Sequence, residues 1–426
     1  MLVSSSRGRW LTWGGYAAVL IAAPLVFRSS LAVNMLSQMG FLIIICLSYN
    51  LLLGQGGMLS FGHAVYTGLG GYAAVAAISH VDAHGIAVPL VLMPLVGGFM
   101  GALIAVPLGY VSTRKAGLTF AMISLGIGEL VVAFAIMLPD LFGGDGGISI
   151  NRTYGKPLAG INFGPQIQLY YLIAAYCFVC TALMYAFTAT PLGRMLNAVR
   201  DNPERAQFVG YNTQLVRWYS FIIAGFFAGI GGALGTINFE IFNAADSLSG
   251  LRSGAYLLFT FLGGVTFFFG PIIGAVLMVI ATVLLSELTS AWLLYLGLVF
   301  VLMIMYAPGG IASLVMMNVH MARMGKLGRF AGLYGALLLA CALLLLGVAP
   351  LIEMVYHLQL NAGAGSVITF FGLSLDAATA GPWIGSTVVA LLGALAVHQA
   401  GKRFALAWGR AQEEIQAELQ GAGAAT

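Results

Sequence analysis

The sequence predicts an all-α, polytopic transmembrane helix bundle of about twelve membrane segments, some broken or re-entrant, with both termini cytoplasmic. Three observations carry this. Of 426 residues, 60% are apolar and only 8% are charged, whereas a water-soluble domain carries about 25% charged residues. The apolar residues fall in runs near the ~20 needed to cross a hydrocarbon core as helix. The basic residues cluster at alternate ends of those runs, as the positive-inside rule requires.

Between polar breaks the runs lie at 10–27, 34–53, 62–79, 87–110, 117–137, 167–189, 216–237, 255–269, 271–286, 291–307, 330–349 and 382–400. Arg7 and Arg9 before Trp10–Phe27 have the look of a signal peptide. The run is long and lacks a clear small-residue cleavage site, so it reads as a retained first helix. With the N-terminus inside, alternation puts 112–116, 190–215, 308–329 and 401–426 inside too. Thirteen of the eighteen Lys and Arg lie in these segments and at the N-terminus, and Arg217 lies just past 190–215. The outer stretches hold only Arg28, Arg152, Lys156 and Arg252. That distribution excludes a nucleic-acid-binding surface despite the net charge of +4.

Glycine is abundant, at 57 residues, and clusters inside the runs, as in Gly68-x-Gly70-Gly71 and Gly229-x-Gly231-Gly232. Small residues let helices approach closely in lipid, and glycine also breaks helices where a pathway exposes backbone. Cys46, Cys177, Cys180 and Cys341 all sit in apolar runs, so the Cys177-x-x-Cys180 pair reads as packing. The chain divides into a transmembrane domain over 1–320 and an extension over 321–426. The extension has two more transmembrane helices, then a cytoplasmic amphipathic helix over 402–420 with Phe404, Trp408, Ala411, Ile415 and Leu419 on one side. The last six residues read as structureless.

Thr190–Thr213 is the most informative soluble stretch. Thr190 caps a helix with Pro191 in its first position. Asn202 then caps a second, two-turn helix over 203–209, with Pro203 first, Glu204 in the first turn and Gly210 at a left-handed stop. Ala206, Phe208 and Val209 form its apolar side, flanked by Arg200 and Arg205. On the residues alone, this is equally a docking element or an amphipathic loop on the membrane surface.

Glu204-Arg205-Ala206-x-x-x-Gly210 resembles the Glu-Ala-Ala-x-x-x-Gly loop of ABC importer permeases, with Arg205 replacing an alanine. Several blocks resemble the branched-chain amino-acid permease family, its LivM-like branch in particular. They are Asn50–Gly54 through Ser60-Phe61-Gly62-His63-Ala64, Gly143–Ile148, Gly263-Gly264 to Gly270-Pro271, and Ala307-Pro308-x-Gly310-Ile311. The resemblance covers roughly 30–315 and leaves 321–426 unexplained. It implies that Glu204, Ala206 and Gly210, with Arg200, Asn202 and Arg205 around them, form the loop that couples to an ATPase. It also implies two ABC ATPase subunits carrying ATP and Mg, a sister permease, a periplasmic solute-binding protein and a bacterial inner-membrane location. The substrate would be a branched-chain amino acid or a related small polar solute such as urea, an amide or an aromatic acid.

The chain itself has no Walker A lysine: Lys115, Lys156, Lys326 and Lys402 precede Ala, Pro, Leu and Arg. This reads as a non-enzyme, with no cofactor or metal of its own. Gly54, Gly57, Ser60, Phe61, Gly62, His63, Tyr66 and Thr67 are candidates for lining the substrate path. The competing reading has Ser60 and Thr67 bonding back to their own helix and His63 as an interior residue. Glu129 lies mid-span and joins the pathway set. Used as a proton carrier it would instead make this a secondary transporter. Gly144, Asp145 and Gly146 form a periplasmic turn, and His80-x-Asp82-x-His84 reads as a polar loop.

Overall fold

The computed structural model describes residues 6–84, 88–153, 162–307, 309–323, 330–360, 366–370 and 373–424. In lipid a backbone must satisfy its own hydrogen bonds, so the apolar runs become helices. In chain order these are α1 (Ser6–Val26), α2 (Ser30–Asn50), α3 (His63–His84), α4 (Met93–Ser112), α5 (Leu118–Met137), the one-turn α6 (Pro139–Phe142) and α7 (Gln166–Ala189). Then come α8 (Pro191–Asp201), α9 (Pro203–Phe208), α10 (Thr213–Phe239), the one-turn α11 (Ala244–Ser247), α12 (Gly250–Gly263), α13 (Gly270–Val279) and α14 (Ser286–Leu288). The chain ends with α15 (Trp292–Tyr306), α16 (Gly310–Arg323), α17 (Ala331–Leu360) and α18 (Ala380–Ala424).

Each of the twelve expected runs falls on a helix, but not every helix qualifies as a span. Among the described residues eight are long and apolar enough to cross a membrane, or nine if the bent pair Trp292–Tyr306 and Gly310–Val319 counts as one. The apolar part of α1 is too short, and α12 has only 14 residues. Helix α3 loses apolarity to Gly68, Gly70, Gly71, Tyr66, Tyr72 and His80. It sits at the centre of the bundle, where lipid does not have to be matched. Its helix also runs five residues past the expected end, because Val81 is still buried.

The chain forms two compact units, Met1–Leu285 with Leu298–Leu314, and Ser286–Gly297 with Val315–Thr426. The first is built on α3, α4 and α10. Gly97, Gly101 and Ala105 on α4 repeat every four residues, as do Gly225, Gly229 and Ala233 on α10. A Cβ at Gly229 would collide with the Gly97 carbonyl, and one at Gly101 with the Gly225 carbonyl. Gly70 of α3 meets the same crossing, since its Cβ would lie 2.9 Å from the Gly97 oxygen. Missing side chains thus let three backbones touch, which is how helices gain contact in lipid. At one end of this unit β1 (Ile148–Ser149) pairs antiparallel with β2 (Ile241–Phe242). Arg152 ties that end together, donating its backbone N–H to Glu240 Oε1 at 3.1 Å. Gln166 donates to Asn238, which donates to Asn34, at 2.8 and 3.1 Å.

In the second unit α17 and α18 form a helical hairpin joined by β3 (Val367–Phe370) and β4 (Leu373–Asp376). Asp376 accepts from Ser366 and from the Ala378 N–H, which holds its carboxyl below the ordinary range. Gly347 packs on Ala390, and Gly393 on Leu344, again through backbone. The expected amphipathic segment over 402–420 is not a separate helix. α18 runs unbroken for 45 residues to Ala424, into the tail expected to lack structure, since no proline follows Pro382 of its first turn. Its side chains beyond Ala407, Trp408 included, lie outside the described residues.

Candidate functional site

The loop helices form as their caps dictate. Thr190 Oγ1 accepts from the Gly193 N–H at 3.2 Å, and Asn202 Oδ1 from the Arg205 N–H at 2.9 Å. Gly210, at φ 97°, ends α9, and the Tyr211 N–H closes back on the Ala206 carbonyl at 3.1 Å. The result is a short helix standing clear of the bundle. Phe208 is 92% exposed, Val209 is also exposed, and Ala206 is buried beneath them. Glu204 and Arg205 are exposed on the same helix.

Helix α8 connects this projection to the break after α2. That break starts with a π-turn over Leu51–Gln55 and continues as non-helical chain to Gly62. The Arg200 guanidinium donates to the Gly54 carbonyl, and Asn197 Nδ2 donates to Gln55 Oε1 at 3.0 Å. Gly57, at φ 64°, leaves room for the Arg200 side chain, whose Cγ lies 2.9 Å from where a Cβ would sit. A Cβ at Gly54 would strike the Val265 carbonyl in the α12–α13 turn. Arg200 thus bonds the loop directly to the break, a contact that the sequence reading placed only as a flank of α9.

Further along, the block packs rather than opens. Tyr49 Oη donates to the Ser60 carbonyl at 2.8 Å, and the Phe61 N–H donates to Ser124 Oγ at 3.0 Å. Gly62 rides against the Ser124 carbonyl. His63 is fully buried, edge-on to Tyr49, with Nε2 2.9 Å from Ser48 Oγ. The Ser48 hydroxyl proton goes to the Ile45 carbonyl, so His63 donates from Nε2 and its Nδ1 has no partner. Thr67 bonds back to Ala64 at 3.1 Å, while the buried Ser60 Oγ does not find a partner. Tyr66 is buried against Phe221.

A cavity of about 310 Å³ lies one turn further, lined by Thr67 and Gly68 of α3 and by Gly231, Gly232 and Thr236 of α10. Its other wall was not anticipated. Arg252, expected in an outer stretch, stands in the first turn of α12 and borders the cavity with Asp246. The two pair through Nε at 3.3 Å and through a second, shorter bond from Nη2. The expected run at 255–269 is displaced because α12 begins at Gly250 and ends at Gly263, before the φ 113° of Gly264. The preceding chain folds inward: Phe242, Ala244 and Leu248 pack with Val65, Leu69 and Val75. The legible signal was capping, since Asn243 accepts from Asp246 and Ser249 from Arg252, each at 3.2 Å. Glu129 reaches the same helix start, with Oε1 2.9 Å from the Cβ position of Gly250.

Gly144–Gly146 form one turn of 3-10 helix between positive-φ Gly143 and Gly147. The Asp145 side chain lies outside the described residues. His80, Asp82 and His84 lie on α3, not in a loop. His84 Nδ1 is 2.8 Å from the His80 carbonyl, and among the described residues no three metal-ligating side chains gather.

Spans crossing on glycine, two broken helices and an exposed loop helix bonded to one break define a multi-pass membrane protein of the transport type. The chain belongs to the branched-chain amino acid transport system / permease component family, whose model matches residues 31–307. It is 26% identical over 290 residues to the high-affinity branched-chain amino acid transport system permease protein LivM of Escherichia coli K12, covering 63% of this chain and 67% of that one. The LivM protein of Salmonella typhimurium LT2 is 27% identical with the same coverage. The nucleoside ABC transporter permease protein NupC of Lactococcus lactis is 27% identical over 149 residues, 33% of this chain and 46% of that protein. No solved structure matches the chain significantly.

Proposed function

We propose that this chain is the non-catalytic, membrane-spanning subunit of an ATP-driven importer in a bacterial inner membrane. It imports branched-chain amino acids or a related small polar solute delivered by a periplasmic binding protein. In this reading residues 1–320 form the transport domain, with twelve segments in all and both termini cytoplasmic. Residues 321–426 add contact with lipid or a sister permease. Two ABC ATPases, holding ATP and Mg, dock on α9. The single observation that carries the proposal is the exposed Phe208 and Val209 on a helix joined through Arg200 to the Gly54 break. A partner moving α9 moves that break.

Purification of the chain from native membranes in mild detergent is expected to recover an ATP-binding subunit. Glu204→Ala with Gly210→Val should lose it while the chain stays in the membrane. A chain recovered without an ATPase, with uptake that survives ATP depletion and stops in Glu129→Gln, would overturn this in favour of proton-coupled transport.

A further inference from the structure

We infer that the cavity beside α12 is a subsite for a free zwitterionic amino acid, which exchanges partners with the Arg252–Asp246 ion pair. The ligand carboxylate takes the guanidinium, and its ammonium takes the Asp246 carboxylate. The inference rests on the import reading above and adds to it a place and a chemistry of recognition.

Charge accounting selects the ligand class. Arg252 and Asp246 together are neutral, and the more enclosed Arg252 loses most if its partner is displaced without replacement. A simple anion that displaced Asp246 from Arg252 would strand a carboxylate. A simple amine would strand the guanidinium. A zwitterion replaces one ion pair with two and strands nothing. Both side chains are reachable, with 37% of Arg252 and 61% of Asp246 exposed.

The helix start favours the same orientation. Arg252 sits in the first turn of α12, where the helix dipole is already positive and a cation is unfavourable. Negative charge is therefore drawn there. Asp246 supplies it now, and Glu129 brings a second carboxylate to Gly250. A ligand carboxylate arriving at Arg252 takes the place of Asp246 at that helix start, and the released Asp246, with Glu129 at the same helix end, faces the ammonium.

The rest of the cavity fits an aliphatic side chain. Away from the ion pair it is walled by Phe41, Ile45 and Phe239, and at Gly231 and Gly235 helix α10 packs closely on Ile45 and Phe41. At about 310 Å³ it is at the small end of ligand pockets, near 300 Å³, which suits one amino acid and not a peptide.

The test uses the chain purified from native membranes with its co-purifying subunits, placed in lipid nanodiscs without binding protein. Equilibrium binding of radiolabelled leucine is read in competition with isovalerate, which keeps the carboxylate alone, and isoamylamine, which keeps the amine alone. Unlabelled leucine is expected to compete at least tenfold better than either. Arg252→Gln and Asp246→Asn should each weaken leucine binding at least tenfold, with Arg252→Lys recovering part of it. The wild-type competition series guards against variants that misfold. Absence of saturable leucine binding, equal competition by isovalerate or isoamylamine, or unchanged binding in both variants would overturn the subsite. Those results leave an intact ATPase association untouched, whereas its absence would instead remove the import reading.

Discussion

The α3–α4–α10 crossing and the α17–α18 hairpin use the same device and reach opposite ends. Both bring backbones together where glycine leaves no side chain, Gly229 on Gly97 in one and Gly347 on Ala390 in the other. Yet the best apolar window of α10 is 72% buried, while those of α17 and α18 are 17% and 6% buried. Helix α17 is the most apolar of the eight span-like helices, and α10 is less so. In water the more apolar helix would be the buried one. In lipid the relation inverts, because a helix facing hydrocarbon must be apolar throughout while a central helix is free to carry Arg217, Ser220, Thr236 and Asn238.

The largest break in this comparison is expected from Gly229→Leu. Its side chain would have to displace backbone on a neighbouring helix with another helix behind it, at or above the ~3 kcal/mol end of overpacking costs. Fluorescence-detected size exclusion should show the monodisperse peak lost. Gly347→Leu makes a similar clash in the hairpin, but α18, whose apolar window is only 6% buried, is free to move away. An expected cost of about 1–3 kcal/mol stays local. Protease sensitivity between 361 and 379 should rise while the peak survives. If it collapses as in Gly229→Leu, the hairpin is as constrained as the core.

A smaller effect is expected at the loop. Arg200→Ala removes a charged hydrogen bond to Gly54, for which about 1 kcal/mol is reasonable after allowing for its partial exposure. Detergent thermal unfolding should show a modest loss, and ATPase stimulation by substrate should fall far more than stability does. Equal losses would make Arg200 a structural residue only. Smallest of all, Leu391→Ala on the exposed face of α18 should change stability by no more than about 0.5 kcal/mol. A clear loss in the assembled complex, absent in the isolated chain, would show that protein and not lipid covers that face.

Much of this was legible in residue order. Apolar runs located the long helices, though not α16 within 308–329, and Thr190-Pro191, Asn202-Pro203 and Gly210 set the loop helices almost to the residue, because caps and left-handed stops are local. The glycine repeats announced close crossings without saying which helices met. The cavity was not legible. Of the expected lining, Gly54 to Tyr66 pack in and beside the break, and Thr67 borders the cavity. Arg252 read as an outer charge because a hydropathy window sees only that it precedes an apolar run. Its position depends on residues 240–249 folding back along α3, and that turns on Leu248 finding the gap at Gly68. Local signals fix where a helix starts. Which charges it carries into the bundle is decided by the long-range packing of its neighbours, and one sequence does not record those distances.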